Sequence, residues 1–168
     1  MSEWKPSTVF QAQPCPTSCV SACIAMLLNI PVAVVMADHH DAYHNQNRSF
    51  REILNSYGAS FTSFDSCDRQ SLDESGIYLL TVPSLNIEGG NHEILVEYDD
   101  DVCRWAIYDP RRSGDGKRYY SAAPDLDDEN ARKLSGFSID AFLTTEEVAR
   151  LRSIPMIKAR LSQTLNPA

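Results

Sequence analysis

The sequence predicts an α+β domain in which N-terminal helices pack on a twisted antiparallel sheet, and three observations lead there. The first third of the chain reads with helical periodicity. Beyond Gly58 the period shortens to that of strands. The strand-like segments then follow one another through short turns instead of alternating with helices, which is the antiparallel arrangement.

The first dozen residues lack a strong period and run into QPCPT at 13–17, where the prolines enforce extended or turned backbone. From Thr17 or Ser18, either a good N-cap, SCVSACIAMLLN reads as a buried helix that Asn29 and Pro31 stop. PVAVVMADHHDAYH gives a second helical piece. SFREILNSYG gives a third, with Phe50, Ile53, Leu54 and Tyr57 at helical spacing and Gly58 as terminator. ASFTSF, GIYLLTV, HEILVEY and VCRWAIYD read as strands, the second apolar enough for the middle of a sheet, and KRYYS as a further one. Residues 121–136 read as a charged surface excursion. FSIDAFL and TTEEVARLRSI read as closing helices, with Thr144 or Thr145 as cap.

The chain has 168 residues, a length that suits one core, so a single domain over 1–168 is expected. Its 15 Lys and Arg against 23 Asp and Glu leave a net charge of −8, which repels phosphate backbones and anionic lipid and so argues against nucleic-acid and membrane partners. With no apolar run near the roughly 20 residues of a membrane span and no apolar core for a signal peptide in residues 1–14, the reading is a soluble, cytoplasmic protein, with signal-independent export left open. Five cysteines, at 15, 19, 23, 67 and 103, are odd in number and widely spread, which suggests free thiols in a reducing compartment.

The sharpest expectation concerns the hairpin of HEILVEY with VCRWAIYD. A turn at Asp100-Asp101 pairs His92 with Asp109, Ile94 with Ile107, Val96 with Trp105 and Tyr98 with Cys103 on one apolar side. Glu93, Leu95 and Glu97 then share the more polar side with Tyr108, Ala106 and Arg104, Glu97 facing Arg104. A one-residue slip would mix the two sets, so the pattern itself brings imidazole to carboxylate.

Cys19 falls in the first turn of the first helix, where free backbone N–H groups and the positive end of the macrodipole favour a thiolate. A cysteine there, with a histidine and an aspartate delivered by the hairpin, makes a Cys-His-Asp triad: Cys19 as nucleophile, His92 as base, Asp109 as orienter. The Cys19 N–H offers one oxyanion donor, and the Gln13 side-chain amide, six residues upstream, offers a second. Cys15 and Cys23 read as small residues on one buried helix face, and Cys67 and Cys103 as core. His39, His40 and His44 invite a metal reading, His40 and His44 sharing a helix face, but they lack a second ligand group with suitable spacing; the expectation is no metal and no organic cofactor.

QPCPTSCVSACIAML at 13–27 resembles the nucleophile motif of the bacterial bacteriocin-processing peptidases, papain-like enzymes that cleave double-glycine leader peptides. The matching positions are Gln13, Cys19, Ala25 and Met26. A second block, a histidine opening a strand and a following strand ending in Asp-Pro, is similar to His92 through Asp109-Pro110. The resemblance covers roughly 10–120. It implies a papain-like cysteine peptidase fold and thiol-dependent cleavage of a peptide or protein substrate, with Gln13, Cys19, His92 and Asp109 in the roles above. The chain departs from the family in carrying Ser18-Cys19-Val20 where Asp-Cys-Gly is usual, and in showing no membrane segment where family members are often fused to a transporter. Papain-like deamidases, acyltransferases and catalytically inactive binding modules share the pattern and stand as alternatives.

Overall fold

The computed structural model describes residues 4–64, 71–124, 127–154 and 157. Helix α1 spans Cys19–Leu28, and from Val20 to Leu28 every residue is buried. It ends where Asn29 takes the left-handed conformation at φ 56°, one that asparagine tolerates better than most residues. The next helical stretch is α2 (Val32–Val35), a π-helical turn over Met36–His40, and α3 (Asp41–His44). Helix α4 (Phe50–Ser56) opens with a reciprocal capping box between Ser49 and Glu52.

Four antiparallel strands form the main sheet in the order β3-β2-β1-β6, with β1 at Gly76–Pro83, β2 at Asn91–Asp99, β3 at Arg104–Tyr108 and β6 at Ser138–Thr144. The mixed helix and antiparallel-sheet class is therefore as the sequence predicts. Segment FSIDAFL is not a closing helix, however: it is β6, paired along β1, with a register shift beside Leu79 and Leu80. Its alternating Ile139, Ala141 and Leu143 are buried, which is period two. ASFTSF contributes one isolated bridge, Thr62 to Phe142, and Cys67 lies outside the described residues. KRYYS yields β4 (Tyr119–Ser121), which pairs in parallel with β5 (Ala131–Lys133) as a separate ribbon. The supposed surface excursion thus buries Ala131 and Leu134.

Both faces of the main sheet are covered. Leu79, Leu95, Ala141 and Leu143 pack with α1, α4 and α5 (Thr145–Ser153), while Leu80, Ile94, Val96 and Ile139 pack with Tyr120 and Leu134 on the other face. Each fully buried aliphatic side chain of this kind contributes roughly 1.5–3 kcal/mol. Thr144 caps α5 by accepting from the Glu147 N–H, as the sequence suggests. From that helix Arg152 reaches the end of α1, its Nε donating to Leu27 O at 2.9 Å and its Nη2 to Met26 O at 3.2 Å. The last carbonyls of the Cys19 helix are thereby satisfied by a cation at the negative end of its dipole.

The β2–β3 hairpin keeps its faces but not its register. Leu95 pairs with Tyr108, Val96 with Ile107 and Asp99 with Arg104, two residues away from the Asp100-Asp101 arrangement. The turn is longer, and Cys103 within it adopts φ 48° and is exposed instead of lying in the core. An even shift returns each side chain to its original face. Glu97 accordingly faces Ala106, not Arg104, and its carboxylate accepts from the Ser7 and Thr8 N–H groups at 2.7 and 3.0 Å. The face expected to be polar is instead the one that receives α1, which puts Glu93 in the interior at 5% exposure.

Candidate functional site

The segment before α1 is fastened to the end of the hairpin, because the Gln13 N–H donates to Pro110 O at 2.8 Å. Ser18 occupies the N-cap position, though its hydroxyl is spent on Cys15, accepting from the N–H at 3.0 Å and donating to the carbonyl at 2.9 Å. That contact tightens the turn from which Cys19 emerges. The first helical hydrogen bond runs from the Ala22 N–H to Ser18 O at 2.9 Å, so the N–H of Cys19 belongs to the open end of the helix. Cys15 precedes the helix and is half-buried, not part of a buried helix face; Cys23, one turn after Cys19, is fully buried as expected.

His92 stands near the start of β2, beyond the stretch that pairs with β3, and Asp109 immediately follows β3. Their side chains meet, with His92 Nε2 2.7 Å from Asp109 Oδ1. Asp109 is 2% exposed and held from all sides: Oδ1 also accepts from the Arg111 N–H at 2.8 Å and Oδ2 from the Tyr120 N–H at 2.7 Å. A carboxylate locked by two backbone donors fixes the imidazole plane and its tautomer. The remaining ring nitrogen, Nδ1, is left for Cys19, which lines the same cleft and lies close enough for each group to shift the other's ionisation.

The electrostatics follow from this chain of contacts. Burial works against charge on Cys19, yet the hydrogen bond and positive charge of His92, with the N–H groups of Glu93 and Val20, outweigh it and hold the thiol below its usual range. Burial likewise works against the imidazolium, but Asp109 and Cys19 overcome it and push His92 up to about 9. Both shifts favour a thiolate–imidazolium pair near neutral pH.

Gln13, 6% exposed, lines the same cleft as Cys19 and His92. Its Nε2 donates to Cys15 O at 2.8 Å, while Oε1 is buried without a hydrogen-bond partner. The primary amide carries two hydrogens, so one stays available for an oxyanion beside the Cys19 N–H. The cleft, about 240 Å³, is walled on its other sides by Ser84, Asn86 and Ile87 of the β1–β2 loop and by Arg111 and Lys117. Sequence reasoning did not find these wall residues, since no local pattern marks them. In that loop Gly89 takes φ 67°, a left-handed conformation that glycine adopts without steric cost.

The histidines of the second helical stretch have structural partners. His39 is buried against Tyr57 and Arg48, while His40 and His44 stack edge to face as their spacing suggests. His44 Nε2 lies 2.8 Å from Thr17 O, bracing the loop before Cys19. Among the described residues no helix is long and apolar enough to cross a membrane. Compared with protein-family models, with curated proteins and with solved structures, the chain has no match.

Proposed function

We propose that this protein is a thiol-dependent hydrolase of papain-like architecture that cleaves a peptide or amide bond through Cys19, His92 and Asp109. The observation that carries the reading is the junction of three distant segments at one cleft: a half-buried thiol opening a helix, an imidazole lining the same cleft, and a fully anchored carboxylate behind the imidazole. Each part has a more ordinary use alone; together they form a charge-matched set in a cavity.

In the proposed reaction the Cys19 thiolate attacks the substrate carbonyl carbon, and the negative charge moves to the carbonyl oxygen. The Cys19 N–H and Gln13 Nε2 receive that charge, each donor being worth about 3 kcal/mol in such sites. His92 passes its Nδ1 proton to the leaving nitrogen as the C–N bond breaks, which leaves an acyl thioester on Cys19 and a neutral imidazole. Water then attacks the thioester, gives a proton to His92, and releases the acid and the thiolate. Asp109 holds the ring throughout.

The test is to incubate the protein with a defined peptide library and follow both products and intact protein by mass spectrometry. New peptide termini, with a Cys19 acyl adduct that hydroxylamine discharges, are the expected result. Unchanged peptides and no adduct on any cysteine would refute the proposal. Amidated termini in the presence of added amine would assign the same thioester to acyl transfer.

A further inference from the structure

Beside the triad lies a second group of chemically active side chains that the proposed reaction does not use. Glu93 follows His92 in β2, and alternation along the strand sends its side chain to the opposite face. There it meets Thr81 of β1 and Asp140 of β6, so that three adjacent strands each contribute one polar group at the same end of the sheet. The row opens into a pocket of about 250 Å³ whose other walls include Tyr43 and Phe50. That is room for a single side chain, below the roughly 300 Å³ at which whole small-molecule sites begin.

The hydrogen bonds in this row do not balance. The one hydroxyl hydrogen of Thr81 serves two carboxylates, donating to Asp140 Oδ2 at 2.6 Å and standing 3.3 Å from Glu93 Oε2. Glu93 Oε1 is buried with no partner at all. Glu93 is buried and Asp140 half-buried, and a carboxylate short of donors and of positive charge is costly in such a place. Burial and the neighbouring Asp140 hold the Glu93 carboxyl well above the usual carboxylate range. What the two carboxylates lack, among the described residues, is an ion pair with a positively charged donor.

The geometry points to a subsite, formed by Glu93, Asp140 and Thr81, for a cationic side chain of the lysine or arginine type in the substrate. This rests on the hydrolase reading of Cys19. The pocket adjoins the nucleophile: Glu93 follows His92, which shares the cleft of Cys19, and Cys23, one turn after Cys19, donates to Glu93 O at 3.4 Å, while the charge of Cys19 is felt at both Glu93 and Tyr43. His92, which protonates the leaving nitrogen, points to the other face of β2, so the subsite belongs to the acyl portion of the substrate. Tyr43 and Phe50 supply apolar and aromatic walls for the stem and charge of such a side chain. Arg51 also lines the pocket but is exposed, and among the described residues no ion pair joins it to Glu93 or Asp140.

The experiment uses acetyl-dipeptidyl chloromethyl ketones with lysine at the first or second residue from the reactive carbon, each against its norleucine counterpart, which keeps the stem and removes the charge. The rate of Cys19 alkylation is read by intact mass. At one of the two positions lysine is expected to react at least about tenfold faster, a ratio that falls towards one in both Glu93→Gln and Asp140→Asn and persists in Arg51→Ala. Equal rates in the wild type, survival of the preference in both carboxylate variants, or its loss in Arg51→Ala would overturn the subsite. Iodoacetamide, which needs no subsite, separates the two claims: rapid iodoacetamide reaction without lysine preference removes the subsite alone. If Cys19 is inert to iodoacetamide the hydrolase reading fails. The pocket is then judged by NMR titration with acetyl-lysine methylamide, where shifts at Thr81, Glu93 and Asp140 that the norleucine analogue does not produce support it and their absence refutes it.

Discussion

Replacing Cys19 with alanine is expected to abolish turnover, and replacing His92 with alanine to lower it by at least about 10⁴-fold, with the double variant no worse than Cys19→Ala alone. The non-additivity is the informative part. Sulfur and imidazole act as one unit: His92 holds the Cys19 thiol below its usual range, and Cys19 in turn helps push His92 up to about 9. Without the imidazole, burial is opposed only by the Glu93 and Val20 N–H groups, so the thiol rises and the thiolate is disfavoured. Without the sulfur, the imidazole has no acyl group to serve. Single and double variants compared in the peptide-library assay check this. Full activity in either single variant would separate the pair and end the triad account.

Asp109→Ala carries the second large effect, because it strikes reactivity and stability together. The carboxylate accepts from His92 Nε2, the Arg111 N–H and the Tyr120 N–H while 2% exposed. Alanine leaves two backbone donors bare, for about 3 kcal/mol of lost stability in denaturant titration, and lets the imidazole turn. Asp109→Asn separates the contributions. Its single oxygen can keep His92 and Arg111, but its amino group then faces the Tyr120 N–H donor to donor, so a smaller stability loss is expected beside a turnover loss of about 10⁴-fold. Turnover near wild type in a folded Asp109→Asn would show that the carboxylate serves the hairpin and not the histidine.

The triad positions were legible because each rests on a short-range rule. A small polar residue ahead of a buried apolar run marks where α1 begins, and hence that Cys19 lies at its open end. Alternation in β2 and β3 fixes which side chains share a face, and it survives an error of two residues in the turn, which is why His92 and Asp109 still meet. What alternation does not report is what covers each face. Glu93 beside apolar neighbours reads as a solvent-facing residue, and only the packing of α1 shows it to be interior. The burial of Glu93 in turn creates the acidic pocket. Segment FSIDAFL fits both periods two and 3.6 over its short length, and its partner β1 lies about sixty residues earlier, beyond the reach of any local pattern. Cys103 was misjudged for a related reason, since a four-residue turn moved it out of the ladder and into an exposed left-handed position.

The most direct test of the central claim is the rate of iodoacetamide alkylation at each cysteine as a function of pH, in the wild type and in His92→Ala. Cys15 is the internal control: hydrogen bonds from Ser18 and Thr17, outweighing slight burial, also hold its thiol below the usual value, without involvement of His92. In the wild type the Cys19 thiolate is expected to persist below the pH at which an ordinary thiol ionises, with the ion pair dissolving as the pH rises through about 9 and His92 loses its proton. In His92→Ala the Cys19 profile should move to higher pH while the Cys15 profile stays in place. A Cys19 profile that is the same with and without His92 would contradict the account.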